Sequence, residues 1–588
     1  MPNTDQKQVD TPSGSNRTLL LEDAFIILIM AVLAGCGLIY EYLLSHYAAR
    51  VLGVVESTIF AMIGFMIVAM GLGSFAAKRL KDAYTAFAWL ELCIAFIGMS
   101  SVLIIAAIFS FANTLPQLIA TTYGLPADLE PSGGVLIYIE NFARWSPYII
   151  GFILGFLVGI EIPLIARIRE DIYQKSLTHN AGTIYGADYL GAGVGAAIWV
   201  LFMLSMEIST AAAATASANF LAGIAFYLRY KNKIKYSQLY LIGNIILCIF
   251  LLSMFQKGEQ WERGLENTLY KDEVIYSAHS KYQHITITER IMDPSHDPIY
   301  TLFINGRTQF TSADEVIYHE MLVHPAMATS ARHDDILIIG GGDGLGVREA
   351  LKWHPKKITL LELDKEIVSF FKDEKFDEER GTIINAPLLS LNKNALSDPR
   401  VDIVFDDAFN SVDQLLKQEK KFDTIIVDLP DPSHPDLNKL YSDRFYQKLY
   451  HLLQGDGAIV IQSTSPYHAK PAFLSIGKTV KSAEFFHVEQ FRQNVPSFGE
   501  WGWTIATKNG ASPLARLNNL SKFDVETKWV TLPLAKSAFQ FPVGYYDDLQ
   551  TIKPNRIGSH VVYQYHQQAW KDEQGIFSSP IELKSAAQ

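Results

Sequence analysis

The chain has 588 residues, more than one ordinary domain holds, and its formal charge of −11 argues against nucleic acid as the main partner. Hydrophobic residues make up 49% and mean hydropathy is +0.13, yet charged residues crowd into the second half, so a membrane half and a soluble half are expected. Cys36, Cys93 and Cys248 all lie in apolar runs and offer neither a disulfide framework nor metal-ligand spacing.

The N-terminal stretch is polar and reads as a disordered tail over 1–22, without the small-residue cleavage site of a signal peptide. Apolar runs follow near 24–44, 51–75, 86–111, 145–165, 185–204, 211–228 and 239–255. Each is close to the ~20 residues that cross a hydrocarbon core, so about seven membrane helices are predicted. Basic residues cluster after the second run (Lys78, Arg79, Lys81), the fourth (Arg167, Arg169, Lys175) and the sixth (Arg229, Lys231, Lys233, Lys235). Positive-inside logic puts those loops in the cytoplasm and, with seven spans, everything after 255 outside. That conclusion changes if 239–255 does not cross or if 113–140 hides another crossing. Glu41, Glu91, Glu161 and Asp188 sit within the runs, where ionisable groups are costly and line interiors or pathways. Gly191, Gly193 and Gly195 allow close helix approach.

In the soluble half, 274–278, 284–288 and 300–304 are β-rich, and Asn305-Gly306 is a hairpin signal. A helical pattern over 313–324 carries Tyr318, His319, Glu320 and His324. Glu320 and His324 stand four apart, like a metal pair, but further ligands are absent and no metal is expected. Next come an apolar strand at 335–339, the turn Gly340-Gly341-Gly342-Asp343-Gly344, a helix, and a strand at 358–363 with Glu362 at its end. Glycines after a first parallel strand let the backbone approach a nucleotide-type ligand, and an acid some 20 residues on can hold ribose hydroxyls. Asp343 inside the turn would repel a phosphate, so the loop suits a cationic ligand. Strands at 401–405 and 422–427 again end in acids, at Asp406-Asp407-Ala408 and Asp428-Leu-Pro-Asp431. Ligand crevices of open α/β sheets lie at the carboxyl ends of strands, so Asp343, Glu362, Asp407, Asp428 and Asp431 are expected to converge. Such a crevice suits a sulfonium-bearing nucleoside together with an amine. A carboxylate there can position an ammonium, take its proton and leave the lone pair aimed at carbon. In the tail, Phe539-Gln-Phe-Pro542 suggests a segment packed on the domain.

Tyr282-Gln283, the Asp314-Glu315…Tyr318-His319-Glu320 helix, GGGDG at 340–344, Leu361-Glu362-Leu363-Asp364, Asp407-Ala408 and Asp428-Leu-Pro-Asp431-Pro-Ser-His-Pro435 together resemble the spermidine synthases (polyamine aminopropyltransferases). The resemblance covers roughly 273–507, and the whole chain looks like their membrane-associated bacterial branch. It implies a multi-pass α-helical membrane domain followed by an α/β Rossmann-like (methyltransferase-type) domain with a small N-terminal antiparallel β unit. The expected division is a tail over 1–22, a transmembrane domain over 23–256, a β domain over 257–312, the Rossmann-like domain over 313–508 and a C-terminal extension over 509–588.

The implied reaction moves an aminopropyl group from decarboxylated S-adenosylmethionine, a co-substrate rather than a cofactor, to putrescine. The products are spermidine and 5′-methylthioadenosine. By the same resemblance Asp428 is the general base, and Asp431, His319 and Tyr318 hold the diamine. Asp343 binds the donor's amine, Glu362 the ribose, and Asp407 with Ala408 the adenine edge. Gln283 and Pro435 line the product site, and Gly340, Gly341, Gly342 and Gly344 form the loop. Two departures stand out: Val495 where the family often has Tyr, and Leu429-Pro430 where small polar residues are usual. The alternatives are a methyltransferase on the same fold, or a polyamine sensor or transporter without turnover. The expected partners are small molecules and the lipid bilayer, with no nucleic acid; self-association is left open. The expected location is the inner membrane, with the catalytic domain cytoplasmic by its substrates although the loop charges argue the opposite.

Overall fold

The computed structural model describes residues 13–52, 55–123, 133–173, 180–268, 270, 272–293, 295–378 and 380–577. Most of the stretch read as a disordered tail, residues 1–12, lies outside them, and the first helix begins at Ser13. The chain forms two compact units, Met1–Val274 and Ile275–Gln588.

Among its described residues the first unit is a bundle of seven α-helices: α1 (Ser13–Leu52), α2 (Val55–Ala76), α3 (Ala83–Thr122), α4 (Val135–Tyr173), α5 (Asn180–Leu201), α6 (Ile208–Tyr230) and α7 (Ser237–Glu266). All seven are long and apolar enough to cross a membrane. The 113–140 stretch adds its described residues to the ends of α3 and α4, so no further crossing appears there among the described residues. Small residues let the helices touch backbone to backbone. A Cβ on Gly191 would overlap the Ala31 carbonyl, and one on Gly159 the Met70 carbonyl, while Gly193 faces open space.

Polar contacts show how the helices alternate. At one end Arg169 pairs with Asp23 at 2.6 Å, Lys233 with Asp171 at 2.7 Å and Lys235 with Asp82 at 3.2 Å. These join the start of α1, the α2–α3 turn, the end of α4 and the α6–α7 turn. At the other end Glu262 of α7 pairs with Arg50 at 3.5 Å and accepts from the Ser209 N–H at 3.2 Å. The chain therefore leaves α7 at the end opposite the basic turns.

The second unit opens with an antiparallel sheet, β1 (Glu273–His279), β2 (His284–Arg290), β3 (Ile299–Ile304) and β4 (Arg307–Thr311), then α8 (Glu315–Thr329). β5 (Asp335–Gly340), α9 (Leu345–Leu351), β6 (Lys357–Glu362) and α10 (Lys365–Lys372) follow, then a small hairpin of β7 (Phe376–Asp377) and β8 (Thr382–Ile383) and α11 (Ala386–Leu391). The chain continues through β9 (Val401–Phe405), α12 (Ala408–Lys417), β10 (Phe422–Asp428), α13 (Asp443–Leu452), β11 (Leu453–Gln462), α14 (Lys470–Ser482), β12 (His487–Val495) and β13 (Gly499–Thr507). Three helices close it: α15 (Pro513–Asn518), α16 (Leu532–Ser537) and α17 (Val561–Phe577).

Seven strands form the main sheet in the order β12-β13-β11-β10-β5-β6-β9, parallel from β11 to β9 with an antiparallel edge of β13 and β12. Side chains alternate between its two faces. Ile336 and Ile338 of β5 join one buried cluster with Leu322 of α8, and Leu337 and Ile339 join another with Phe445 of α13. Helices on both faces explain why these strands read as unbroken apolar runs. The expected α/β class with a small antiparallel unit is the architecture found. The tail packs on the sheet as its aromatics suggested: Phe539 stacks on Phe491 at 5.1 Å, and Phe541 meets Phe473 at 5.9 Å.

Candidate active site

The chain runs from β5 outward to β6 and then β9 on one side, and to β10 and β11 on the other. The crevice between β5 and β10 is thus the switch point of a doubly wound sheet. Here the four glycines turn the chain into α9. Gly340, Gly341 and Gly344 have φ of 80°, 71° and 78°, a region that side chains disfavour. Closeness matters as much as angle. A Cβ on Gly341 would lie 3.0 Å from Asp428 Oδ2, and one on Gly342 2.9 Å from Glu362 Oε2. Within the loop, Asp343 Oδ1 accepts from the Leu345 N–H at 2.8 Å.

α8 supplies the opposing wall. The Tyr318 hydroxyl donates to Asp428 Oδ1 at 2.7 Å. One turn back, Glu315 accepts from His319 Nδ1 at 2.9 Å and is gripped by both Nη atoms of Arg348 at 2.8 and 2.9 Å. That fork holds the carboxylate, and the carboxylate orients the imidazole. Burial opposes a charged His319, but the hydrogen bond and charge of Glu315, with Asp343 and Asp428 nearby, push it up to about 9. Burial pushes Asp428 up to about 6; Asp343 adds to the rise, while His319 and the Tyr318 hydrogen bond oppose it. Burial likewise raises Asp343, and raises Glu362 to about 7 against the N–H groups of Asp364 and Leu363. The crevice therefore holds several carboxylates set apart from ordinary values, as groups assigned proton work are.

Asp431 lies past the end of β10. Its Oδ1 accepts from Gln462 Nε2 at 2.9 Å, and its Oδ2 faces Thr464 Oγ1 and His566 Nε2, each at 3.2 Å. Thr464 has φ of 61°, rare for a β-branched residue, so the end of β11 is bent to meet Asp431. The aromatic side of the crevice is Trp503, 5.6 Å from the Tyr318 ring, and Phe498, 6.0 Å from it. Val495 is buried within the core and Leu429 is buried beside Asp428.

The structure thus brings Tyr318, His319, Asp343, Glu362 and Asp428 together, with Asp431 close enough for its charge to act on Tyr318. Asp407 sits at the end of β9, where the Asp406 N–H bonds the Glu362 carbonyl at 3.2 Å. Its Oδ1 caps α12 through the Phe409 N–H at 2.9 Å, and its Oδ2 is held by Lys439 at 2.6 Å. Ala408 is the first residue of that helix. Gln283 lies in the β1–β2 turn, tied through Ser280 to Asp364 at 2.5 Å, and Pro435 opens a 3-10 turn, Pro435–Tyr441. Neither makes a direct contact with the carboxylates among the described residues.

Glu320, His324 and Glu349 do cluster, with ligand atoms within 4.8 Å of one another. Every one is already engaged. Glu320 accepts three backbone N–H groups from residues 528–530. The indole N–H of Trp353 donates to His324 Nδ1 at 3.1 Å, which leaves Nε2 to donate to Glu349 at 3.0 Å. Arg348 and Lys352 also bind Glu349. This knot fastens α8 to α9 and the 528–530 loop.

Sequence reasoning missed four contributors. Gln462 follows the same strand-end rule as the acids, and the Glu315–His319 spacing of four was readable. Arg348 and His566 gave no local signal, because their partners lie 33 and 135 residues away.

A doubly wound sheet with carboxylates crowded at its switch point defines a Rossmann-like, methyltransferase-type enzyme domain. Residues 315–519 match the spermine/spermidine synthase domain. A polyamine aminopropyltransferase of Shewanella oneidensis is 53% identical over 94% of this chain and 96% of its own length. Polyamine aminopropyltransferase 1 of Streptomyces coelicolor is 31% identical over 97% and 99%. A crystal structure of a spermidine synthase in complex with the transition state analogue AdoDATO is 27% identical, with a TM-score of 0.41, covering 47% of this chain and 88% of that one. The chain belongs to the polyamine aminopropyltransferases, and it is an enzyme of that activity.

Proposed function

We propose that this enzyme transfers the aminopropyl group of decarboxylated S-adenosylmethionine to putrescine, and that Asp428 is the base. The observation that carries the reading is the Tyr318–Asp428 hydrogen bond at 2.7 Å, beside Asp343 and beneath the glycine loop. Asp343 receives the donor's ammonium, and Glu362 Oε2, turned to the loop, receives the ribose hydroxyls. Asp407 and Ala408 flank the adenine, and Gln283 and Pro435 close over the nucleoside. Lys439 must yield part of its hold on Asp407 for an adenine amine to bind there.

Putrescine lies with one ammonium at Asp431 and its other nitrogen at Asp428. Free alkyl amines titrate near 10, so the nitrogen enters charged. Asp428 takes its proton as the lone pair attacks the methylene carbon next to sulfur. The C–N bond forms, the C–S bond breaks, and its electron pair neutralises the sulfonium to give 5′-methylthioadenosine. His319, charged at neutral pH, keeps Asp428 ionised in a site otherwise crowded with acids. A methyltransferase would bring a donor carboxylate against Asp343, which like charge disfavours.

On this reading 23–256 anchors the enzyme in a bilayer, 257–312 and 313–508 hold the site, and 509–588 braces it. The test is mass spectrometry of products from the purified enzyme given the donor and a mixture of amines. Spermidine and methylthioadenosine in equal amounts are expected. A methylated amine, or no product from putrescine, overturns the assignment.

A further inference from the structure

Glu91 of α3 and Glu161 of α4 are each 1% exposed inside the helical unit. Asn219 of α6 donates to Glu91 Oε2 at 3.0 Å. Yet Glu91 Oε1, Glu161 Oε2, Asn219 Oδ1 and the hydroxyl of Tyr40 on α1 are buried with no hydrogen-bond partner among the described residues. The charges of both glutamates act on Tyr40, and that of Glu91 acts on Glu161. No basic side chain acts on either carboxylate among the described residues. Four polar groups from four helices are thus buried in one bundle with their bonding unfinished, a costly arrangement for any protein interior and more so within a bilayer.

The chemistry of the missing partner follows from the atoms left over. Ionised, three of the four are pure acceptors, so a partner that keeps the carboxylates ionised must bring N–H groups and positive charge. Two carboxylates without a protein cation call for more than one positive charge. The Tyr40 hydroxyl stands against Gly98, 2.9 Å from where a Cβ would be, so the set reaches along α3 from Glu91 to Gly98. That is about 10 Å at the helical rise, too extended for one bare ion. Phe87 and Val158, one turn before Glu91 and Glu161, belong to the buried apolar core of the bundle.

We propose that the bundle holds a binding site for a linear di- or polyamine between α1, α3, α4 and α6, distinct from the catalytic crevice. The ammonium groups pair with Glu91 and Glu161, Asn219 and Tyr40 orient them, and the chain lies between apolar walls. The choice of an amine rests on the reading of the catalytic unit as one that uses polyamines.

The test is equilibrium binding of radiolabelled putrescine to the full chain in lipid nanodiscs. The Asp428→Asn/Asp431→Asn background removes both crevice carboxylates assigned to putrescine, and, if that pair does not fold, two bound equivalents in the native chain rather than one serve instead. One equivalent of putrescine should remain bound. Glu161→Gln and Glu91→Gln should each weaken it roughly tenfold, and Tyr40→Phe, which removes only a hydroxyl, several-fold. The same three changes in an otherwise native chain should leave turnover within about twofold, on the scale where tenfold corresponds to one hydrogen bond to charge. No binding in the crevice variants, binding indifferent to all three changes, or displacement by sodium as readily as by spermidine would overturn the proposal. So would loss of turnover in step with binding, which would mark a purely structural role. Should the enzyme form no spermidine while this equivalent persists, the catalytic reading fails and the bundle site stands.

Discussion

At Asp428 two opposing influences set one proton. Burial and Asp343 raise its carboxyl, His319 and Tyr318 hold it down, and the balance lies at about 6. As the proposed base, Asp428 works only when ionised, so kcat/KM should fall as pH drops through about 6, with His319 still charged there because its own value is about 9. Tyr318→Phe removes a donor to the charged form. The acid limb should then move upward, by roughly one pH unit, the equivalent of a hydrogen bond to charge. A pH–rate profile of the native and Tyr318→Phe enzymes checks both. Asp428, Asp343 and Glu362 were readable in the sequence because each follows an apolar strand, and the strand ends of an open sheet meet. Their values were not, because burial and neighbouring charges are set by α8, which crosses from elsewhere in the chain.

Among the elements, α8 and α17 do what no local pattern announces. The Glu315–Arg348 fork ties α8 to α9 and, through Glu315, fixes His319. α17 brings His566, 2% exposed, onto Asp431. The tail carried too little periodicity to place this helix, and its contact with Asp431 spans 135 residues. His566→Ala should loosen Asp431 and raise KM for the diamine about tenfold while kcat changes less, since a hydrogen bond to a charged group is worth ~1.5–3 kcal/mol. Steady-state kinetics with putrescine varied at saturating donor measures this. The glycine turn and the strands β1–β3, β5, β6, β9 and β10, by contrast, were legible to within two residues, because period and turn chemistry are local, whereas the antiparallel edge of β12 and β13 was not read. Asp407 shows the limit: its place at the end of β9 was readable, but its pairing with Lys439 was not.

At the scale of the whole molecule, hydropathy gave the seven helices, and their alternation now fixes which ends lie together. The basic turns share one end of the bundle, and the chain leaves α7 at the other. Loop charge would place the basic end in the cytoplasm, while the proposed donor and acceptor, if drawn from the cytosol, call for the catalytic unit there. The substrates are the stronger constraint, because the reaction needs them on the side where they are made. A cysteine at the exposed Val543, in a chain whose three native cysteines are replaced, should resist a membrane-impermeant maleimide on intact cells and react after lysis. Labelling of intact cells would place the catalytic unit outside.

The central claim is that Asp428 removes the proton from the attacking amine, and Asp428→Asn tests it most directly. The change keeps the shape and the Tyr318 contact but removes the base. Single-turnover rate and donor affinity should be measured together on the full chain. A rate lower by about 10²–10⁴-fold is expected, the range for lost general base catalysis, with donor affinity nearly unchanged. Turnover within a few-fold of the native rate would contradict it.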